Sequence, residues 1–242
     1  MQNRYTGDIG DYGKLGLLRT LQSAGLSIGV NWYLTPDESH NSDGRHIRYL
    51  QRGDYRGCDS ELWNRLKEIV ESGERNVGSL QQSGILDARY YSPFLDFSGK
   101  TKQERAAVRA AWHKTALTEL SGADIVFVDP DNGLLVPSAD GTRKENKYVR
   151  PEELLDYYHQ GSSVVYYQHR ARKPDAFYVD QQRKLLENFG LPVSSDLGLK
   201  FKTTSQRYYF FIMQPQHEAS IRKAVREMLG TEWGDHFSYP EF

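Results

Sequence analysis

Disulfide frameworks, cysteine-based metal knuckles and membrane spans are excluded by what this sequence lacks. It holds one cysteine, Cys58, in 242 residues. That rules out an intramolecular disulfide framework or a Cys-x-x-Cys knuckle and fits a reducing, cytoplasmic setting. No apolar run approaches the roughly 20 residues of a transmembrane helix, so no membrane partner is expected. The N-terminal segment Met1-Gln2-Asn3-Arg4-Tyr5-Thr6-Gly7-Asp8 has none of the apolar core of a signal peptide. Charge of one sign is missing too: the net charge is −1 and the pI about 6.7. No global field therefore draws the chain to nucleic acid or lipid, and only local basic clusters are left to bind phosphate. Internal repeats and low-complexity linkers are absent, so a single domain over 1–242 is expected. What is abundant is aromatic residues, 12% of the chain and mostly tyrosine, at a mean hydropathy of −0.70. A disordered chain is poor in aromatics, so a folded protein with a wet, tyrosine-rich surface or groove is expected.

Hydrophobic spacing predicts alternating strands and helices. Leu15, Leu18 and Leu21 place a helix over 11–24, stopped by Gly25. A buried strand is expected over 28–34, followed by a polar loop at 35–44. Helices are expected over 60–72 and 101–120, with an extended aromatic stretch at 89–97 between them. A helix over 151–159 has proline in its first turn and two glutamates behind it. A strand at 162–168, a helix at 176–189, an antiparallel pair at 197–202 and 207–213, and a last helix at 216–229 complete the pattern. This alternation reads as an α/β sheet, mainly parallel with an antiparallel edge, carrying a helical insertion at 45–88.

The most informative run is Ala123-Asp124-Ile125-Val126-Phe127-Val128-Asp129-Pro130-Asp131-Asn132-Gly133. Its unalternating apolar stretch reads as a strand covered on both faces. Pro130 and Gly133 then force the chain out of the sheet. Asp129, Asp131 and Asn132 arrive together at a carboxyl strand end, the edge where open α/β sheets bind ligands. Pro, Asp, Asn and Gly are also the commonest turn residues. A turn alone leaves unexplained why an acid follows directly from a buried strand.

Other clusters are expected to converge there. Gly7-Asp8-Ile9-Gly10-Asp11-Tyr12-Gly13-Lys14 is rich in glycine and charge before a helix. It can receive an anion with Lys14 as counter-charge, or be a helix start capped by Asp8 or Asp11. The loop holding Asp37, Glu38, His40, Asn41, Asp43 and Gly44 follows the first strand. It is expected to face the same crevice and to contact a cofactor or complete a metal site. Gln168, His169, Arg170, Arg172 and Lys173 leave a second strand end, the first two towards the cleft and the cations towards phosphate. Lys102, Arg105, Arg109 and Trp112 share a helix face, either as a nucleic-acid surface or as a solvated stripe with Trp112 in the core. The tail at 233–242 is too aromatic to float, and is expected to dock on the sheet or form a homodimer.

With these pieces placed, the chain resembles the bacterial 23S rRNA adenine-N6 methyltransferase family. More distantly, it is similar to other class I S-adenosylmethionine-dependent methyltransferases. Gly7 to Lys14 looks like that family's opening Gly-Asn-x-Ala-Asp-x-x-Lys segment. Tyr33 to Gly44 takes the place of its cofactor loop, and Tyr90-Tyr91-Ser92-Pro93 echoes its Tyr-Pro-Gly-Ser-Pro. Asp129-Pro130-Asp131-Asn132 stands where its catalytic Asp-Pro-Pro-Tyr falls. The resemblance implies a Rossmann-like methyltransferase sheet and Asp129 as holder of a target amino group. It implies S-adenosylmethionine near Lys14, Asp37, Asp43 and Gly44, and a nucleic-acid or nucleotide substrate. The pattern departs in two places: the glycine-rich loop is reduced to Asp43-Gly44, and the stacking aromatic is replaced by Asn132. Base stacking would then fall to Tyr167 or Trp32.

Two other functions compete. Asp129, Asp131, Glu145 and Lys147 follow the order Asp…Glu-x-Lys of a restriction-nuclease core, which would make this a magnesium-dependent nuclease or phosphoester hydrolase. A degenerate methyltransferase fold that only binds nucleic acid or a partner is the third.

Overall fold

The computed structural model describes residues 1–38, 44–192, 196–203 and 206–241. Its strands are β1 (Ile28–Asn31), β2 (Ala88–Tyr91), β3 (Ile125–Val128), β4 (Gly133–Leu134), β5 (Tyr148–Val149), β6 (Ser163–His169), β7 (Asp196–Phe201), β8 (Arg207–Ile212) and β9 (Phe237–Ser238). Its helices are α1 (Ile9–Ser23), α2 (Gly53–Arg56), α3 (Ser60–Ser72), α4 (Val77–Gln82), α5 (Lys102–Glu119), α6 (Pro151–His159), α7 (Asp175–Asn188) and α8 (Pro215–Leu229). Seven strands form one sheet in the order β2-β1-β3-β6-β8-β7-β9, and β4 pairs with β5 beside it. The first four strands of that order run parallel. β8 is antiparallel to both β6 and β7, and β9 is antiparallel to β7. The fold is therefore α/β, mainly parallel at one side and antiparallel at the other.

Strand alternation splits the core into two layers. Ile125 and Phe127 join residues of α1, α3 and α8 in one buried cluster. Val126 and Val128 join α5, α6 and α7 in the other. A period of two carries Asp129 onto the α1 face, which brings it to Lys14. The segment 45–88 is helical, and its Leu62, Trp63, Leu66, Ile69, Val77 and Leu80 belong to the α1-side cluster. No helix among the described residues is long and apolar enough to cross a membrane.

Local signals explain the helix boundaries. Asp8 caps α1 by accepting from Gly10 and Asp11 amides. Thr101 and Glu104 form a reciprocal capping box on α5. Asp59 caps α3, and Gly73 ends it at a φ of 80°. The tail docks on its own sheet. β9 extends β7, and Trp233 and Phe237 are buried in the α1-side core. Of the two expectations for the aromatic tail, docking on the sheet is the one seen, with Tyr239 left half exposed.

Candidate functional site

β1, β3 and β6 end on one edge, and the start of α1 leans over it. Between them opens a cleft of about 410 Å³, lined by Lys14, Asp129, Asp131, Asn132 and His169 among others. Asp129 sits one residue past β3 and donates its amide to Asn31 O at 3.0 Å, which extends the sheet by one rung. Its Oδ2 accepts from Lys14 Nζ at 2.5 Å. The same ammonium donates to Asp11 Oδ1 at 2.8 Å, and Asp11 in turn accepts from the Gly7 amide. Asp129, Lys14 and Asp11 are 4%, 4% and 1% exposed, so this is a buried triad rather than a surface pair. Burial pulls the Lys14 ammonium down, but Asp11 and Asp129 outweigh it and hold it charged. Burial lifts the Asp129 carboxyl above the ordinary range, only partly offset by Lys14 and the Met1 amino group. The second Asp129 oxygen has no partner among the described residues and belongs to a cleft-lining side chain.

Asp131 is held differently. The Met1 amino group lies 2.7 Å from its Oδ1 and also donates to Tyr33 O and Asp129 O. Gln2 Nε2 donates to its Oδ2. Burial pushes the Asp131 carboxyl up, but the Met1 ammonium and Gln2 more than reverse it, leaving it below its ordinary value. Lys147 reaches the cleft, paired at 2.5 Å with Glu38. Tyr33 adopts a φ of 44°, unusual for a residue with a side chain. Asn31 Oδ1 accepts from its amide and Glu153 from its hydroxyl, which fixes the turn out of β1.

The Asp-Asn-Gly turn is pinned from β6. Gln168 Oε1 accepts from the Leu134 amide, and its Nε2 donates to Asn132 O. Gly133 has a φ of +106°, and a Cβ there would lie 2.2 Å from Gln168 Oε1, so only glycine fits. Gln168 thus positions the turn instead of lining the cleft as the sequence suggests. His169 does line it, with its ring Nδ1 3.3 Å from the Tyr167 hydroxyl. Tyr167 is a cleft wall. Trp32 is fully buried and stacked on Tyr90, so it cannot receive a base.

Several expectations are corrected. The glycine-rich start of α1 is not an open anion cradle, because Asp8 takes the Gly10 and Asp11 amides and His46 O takes that of Ile9. Its glycines serve close packing: a Cβ would fall 1.7 Å from Arg207 at Gly10, 2.6 Å from Phe201 at Gly13 and 2.3 Å from Trp233 at Gly16. On the α5 face the alternative with Trp112 in the core is the one seen, and Lys102 alone of its three cations is exposed. Arg109 is buried and clamps both oxygens of Glu153 at 2.6 and 2.7 Å. Arg105 donates to Lys100 O and Gly141 O, and Trp112 to Pro93 O. Arg170 is tied to Tyr208 and Asp175 at the start of α7, while Arg172 and Lys173 stay exposed. Glu145 is turned away from the cleft, accepting from Arg150 and the Gly141 amide, so the Asp…Glu-x-Lys order does not assemble. No group of three or more potential metal-ligating His, Cys, Asp or Glu occurs among the described residues. Asp37 is exposed, accepts from the Arg4 amide and faces a neighbouring depression instead of the main cleft. Gly44 lines the cleft at a φ of 83°, whereas His40, Asn41 and Asp43 lie outside the described residues.

Arg207 and the N-terminal strap are the site residues that sequence spacing misses. Arg207 lines the cleft from the start of β8. Its one signal is a lone cation ahead of five apolar residues, Tyr208 to Ile212. No protein-family model and no curated protein matches the chain.

Proposed function

We propose that this chain is a methyltransferase-like enzyme acting on an amino group of a nucleic acid or nucleotide, with S-adenosylmethionine as donor. The observation that carries this reading is the Asp129 carboxylate. It ends a central parallel strand, keeps one oxygen for a ligand, and has its basicity raised by burial. A carboxylate so placed accepts a hydrogen bond from an amino group and takes up a proton as that group reacts. Lys14 fixes the carboxylate's orientation from behind. The cleft volume of about 410 Å³ falls within the roughly 300–1,000 Å³ of small-molecule sites.

The donor set also fits the cofactor. Cations from Lys147 and Arg207 and carboxylates from Glu38 and Asp131 line one cleft, which suits a ligand carrying both signs of charge. Arg207 and Lys147 would meet its carboxylate, and its ammonium would share Asp131 with the Met1 amino group. When bound, the cofactor supplies an electrophilic methyl group. Tyr167 offers a ring face for a base, taking the role that Asn132 cannot fill. The antiparallel β8, flanked by β6 and β7 beside a parallel half-sheet, is compatible with a Rossmann-like sheet of the kind the family resemblance implies.

Titration calorimetry with S-adenosylmethionine, followed by methyl-transfer assays on oligonucleotides and nucleotides, tests this. Asp129→Asn is expected to keep cofactor binding while losing about 10²–10⁴-fold in transfer, the usual contribution of a positioned acid-base group. Absence of binding at millimolar cofactor would sink the reading.

A further inference from the structure

The chain from Gly44 to Arg56 forms a cleft wall and then leaves it. Gly44 and His46 line the cleft. Ile47, Leu50, Arg52 and Arg56 line an adjoining groove of about 580 Å³, closed on its other side by α3. Within 45–56 stand Arg45, Arg48, Arg52 and Arg56 against one carboxylate, Asp54. All four arginines are exposed. In a protein of net charge −1 this is a local concentration of cations.

The fold makes little use of them. Arg52 pairs with Asp54 at 2.8 Å and lies over Tyr55. Arg45, Arg48 and Arg56 form no ion pair or side-chain hydrogen bond among the described residues. Arg56 and Lys67 instead sit 5.5 and 5.3 Å from the Trp63 ring centroid. Trp63 is buried in the groove floor, with its indole donating to Tyr49 O. Two cations are therefore held at a fixed aromatic plate, each by about 0.5–1 kcal/mol at an exposed site. That lowers the ordering cost of presenting them to an anion. Glu71, 3.6 Å from Lys67, is the acidic side chain of the groove and keeps it from being uniformly basic.

We infer that this groove is the track for the phosphodiester backbone of a single nucleic-acid strand whose target base enters the Asp129 cleft. The inference rests on the function proposed above and narrows its substrate from nucleotide to polynucleotide. A mononucleotide filling the cleft meets Gly44 and His46 but none of Arg52, Arg56 and Lys67, which line the groove and not the cleft. A base must also leave its stack to reach a carboxylate only 4% exposed, which favours an unpaired strand.

Fluorescence anisotropy with single-stranded DNA and RNA oligonucleotides, over a salt series, tests the track. Replacing the groove-lining Arg52, Arg56 and Lys67 together by alanine is expected to weaken oligonucleotide binding roughly tenfold or more. It should also flatten the dependence of log K on log salt by about 2, since each lost phosphate contact on a single strand removes about 0.7. Lys184→Ala with Lys223→Ala, exposed cations on α7 and α8, should leave both quantities near wild type. Dependence on these groove cations with either sugar supports the track. It is overturned if wild type binds neither oligonucleotide, if the triple variant keeps wild-type affinity and slope, or if the control pair loses as much. Groove-dependent binding without any methyl transfer would remove the proposed reaction and leave the track standing.

Discussion

Lys14 holds two carboxylates, Asp11 at 2.8 Å and Asp129 at 2.5 Å. The two partners differ in what their loss does. Asp129→Asn removes a charge that burial already disfavours, and Lys14 keeps Asp11. Lys14→Met leaves two acids in a site only a few per cent exposed, and an uncompensated buried charge costs about 3–5 kcal/mol. Urea unfolding at neutral pH should therefore show a loss of about that size for Lys14→Met and a much smaller one for Asp129→Asn. Equal losses would mean that Lys14 acts as packing and not as counter-charge. This pairing also separates support from chemistry, since Lys14 faces the back of the carboxylate whose other oxygen is kept for a ligand.

Helix α1 shows how far local rules carry and where they stop. Gly10, Gly13 and Gly16 lie three residues apart on a helix, where each glycine costs about 1 kcal/mol relative to alanine. The cost is offset by closeness: Phe201 and Trp233 occupy the space where side chains would be. Gly13→Ala and Gly16→Ala each gain about 1 kcal/mol of helix propensity and lose about 1–3 kcal/mol to overpacking against buried rings. A net drop in melting temperature is expected for both, and a rise in either would refute the close-packing account. Glycine before a helix reads equally as freedom for an anion or as room for a neighbour, and the rings that decide it come from β7 and the tail. For the same reason the Arg109 stripe is ambiguous in sequence, because Glu153 and Glu145 come from other elements. Where local signals suffice, the expectation and the structure coincide, as for α3 between Asp59 and Gly73 and for α6 beginning at Pro151. The Asp129 strand end is legible because β3 is apolar throughout and stops at Pro130. Arg207 is not, because its approach to Gly10 depends on β8 crossing into the sheet beside β6.

Asp129 lies on the α1 side of the sheet, and the opposite layer carries its own buried electrostatic tie. Arg109 of α5 joins Glu153 of α6, the Glu145 and Tyr148 carbonyls, and through Glu153 the Tyr33 hydroxyl. The turn out of β1 is thereby fastened to two helices across the sheet from the cleft. Burial pushes the Glu153 carboxyl up, but Arg109 more than reverses it, so its folded pKa lies below the ordinary 4.5. A carboxyl depressed on folding contributes stability that is present in full above its unfolded value and is lost as pH falls through the folded one. Asp131 is depressed as well and acts in the same direction. Chemical denaturation from neutral pH to below 4.5 should therefore show wild-type stability falling as these acids protonate. Glu153→Gln should flatten that fall, because the titrating group is gone. At neutral pH it should cost about 3–5 kcal/mol, since Arg109 stays buried with its bidentate partner removed. An unchanged acid slope would place the titration elsewhere. An unchanged stability at neutral pH would show that Glu145, 3.7 Å from Arg109, suffices as its counter-charge. With the flattened slope and the neutral-pH loss together, the Arg109–Glu153 clamp that fastens the turn out of β1 is a tie that acid loosens.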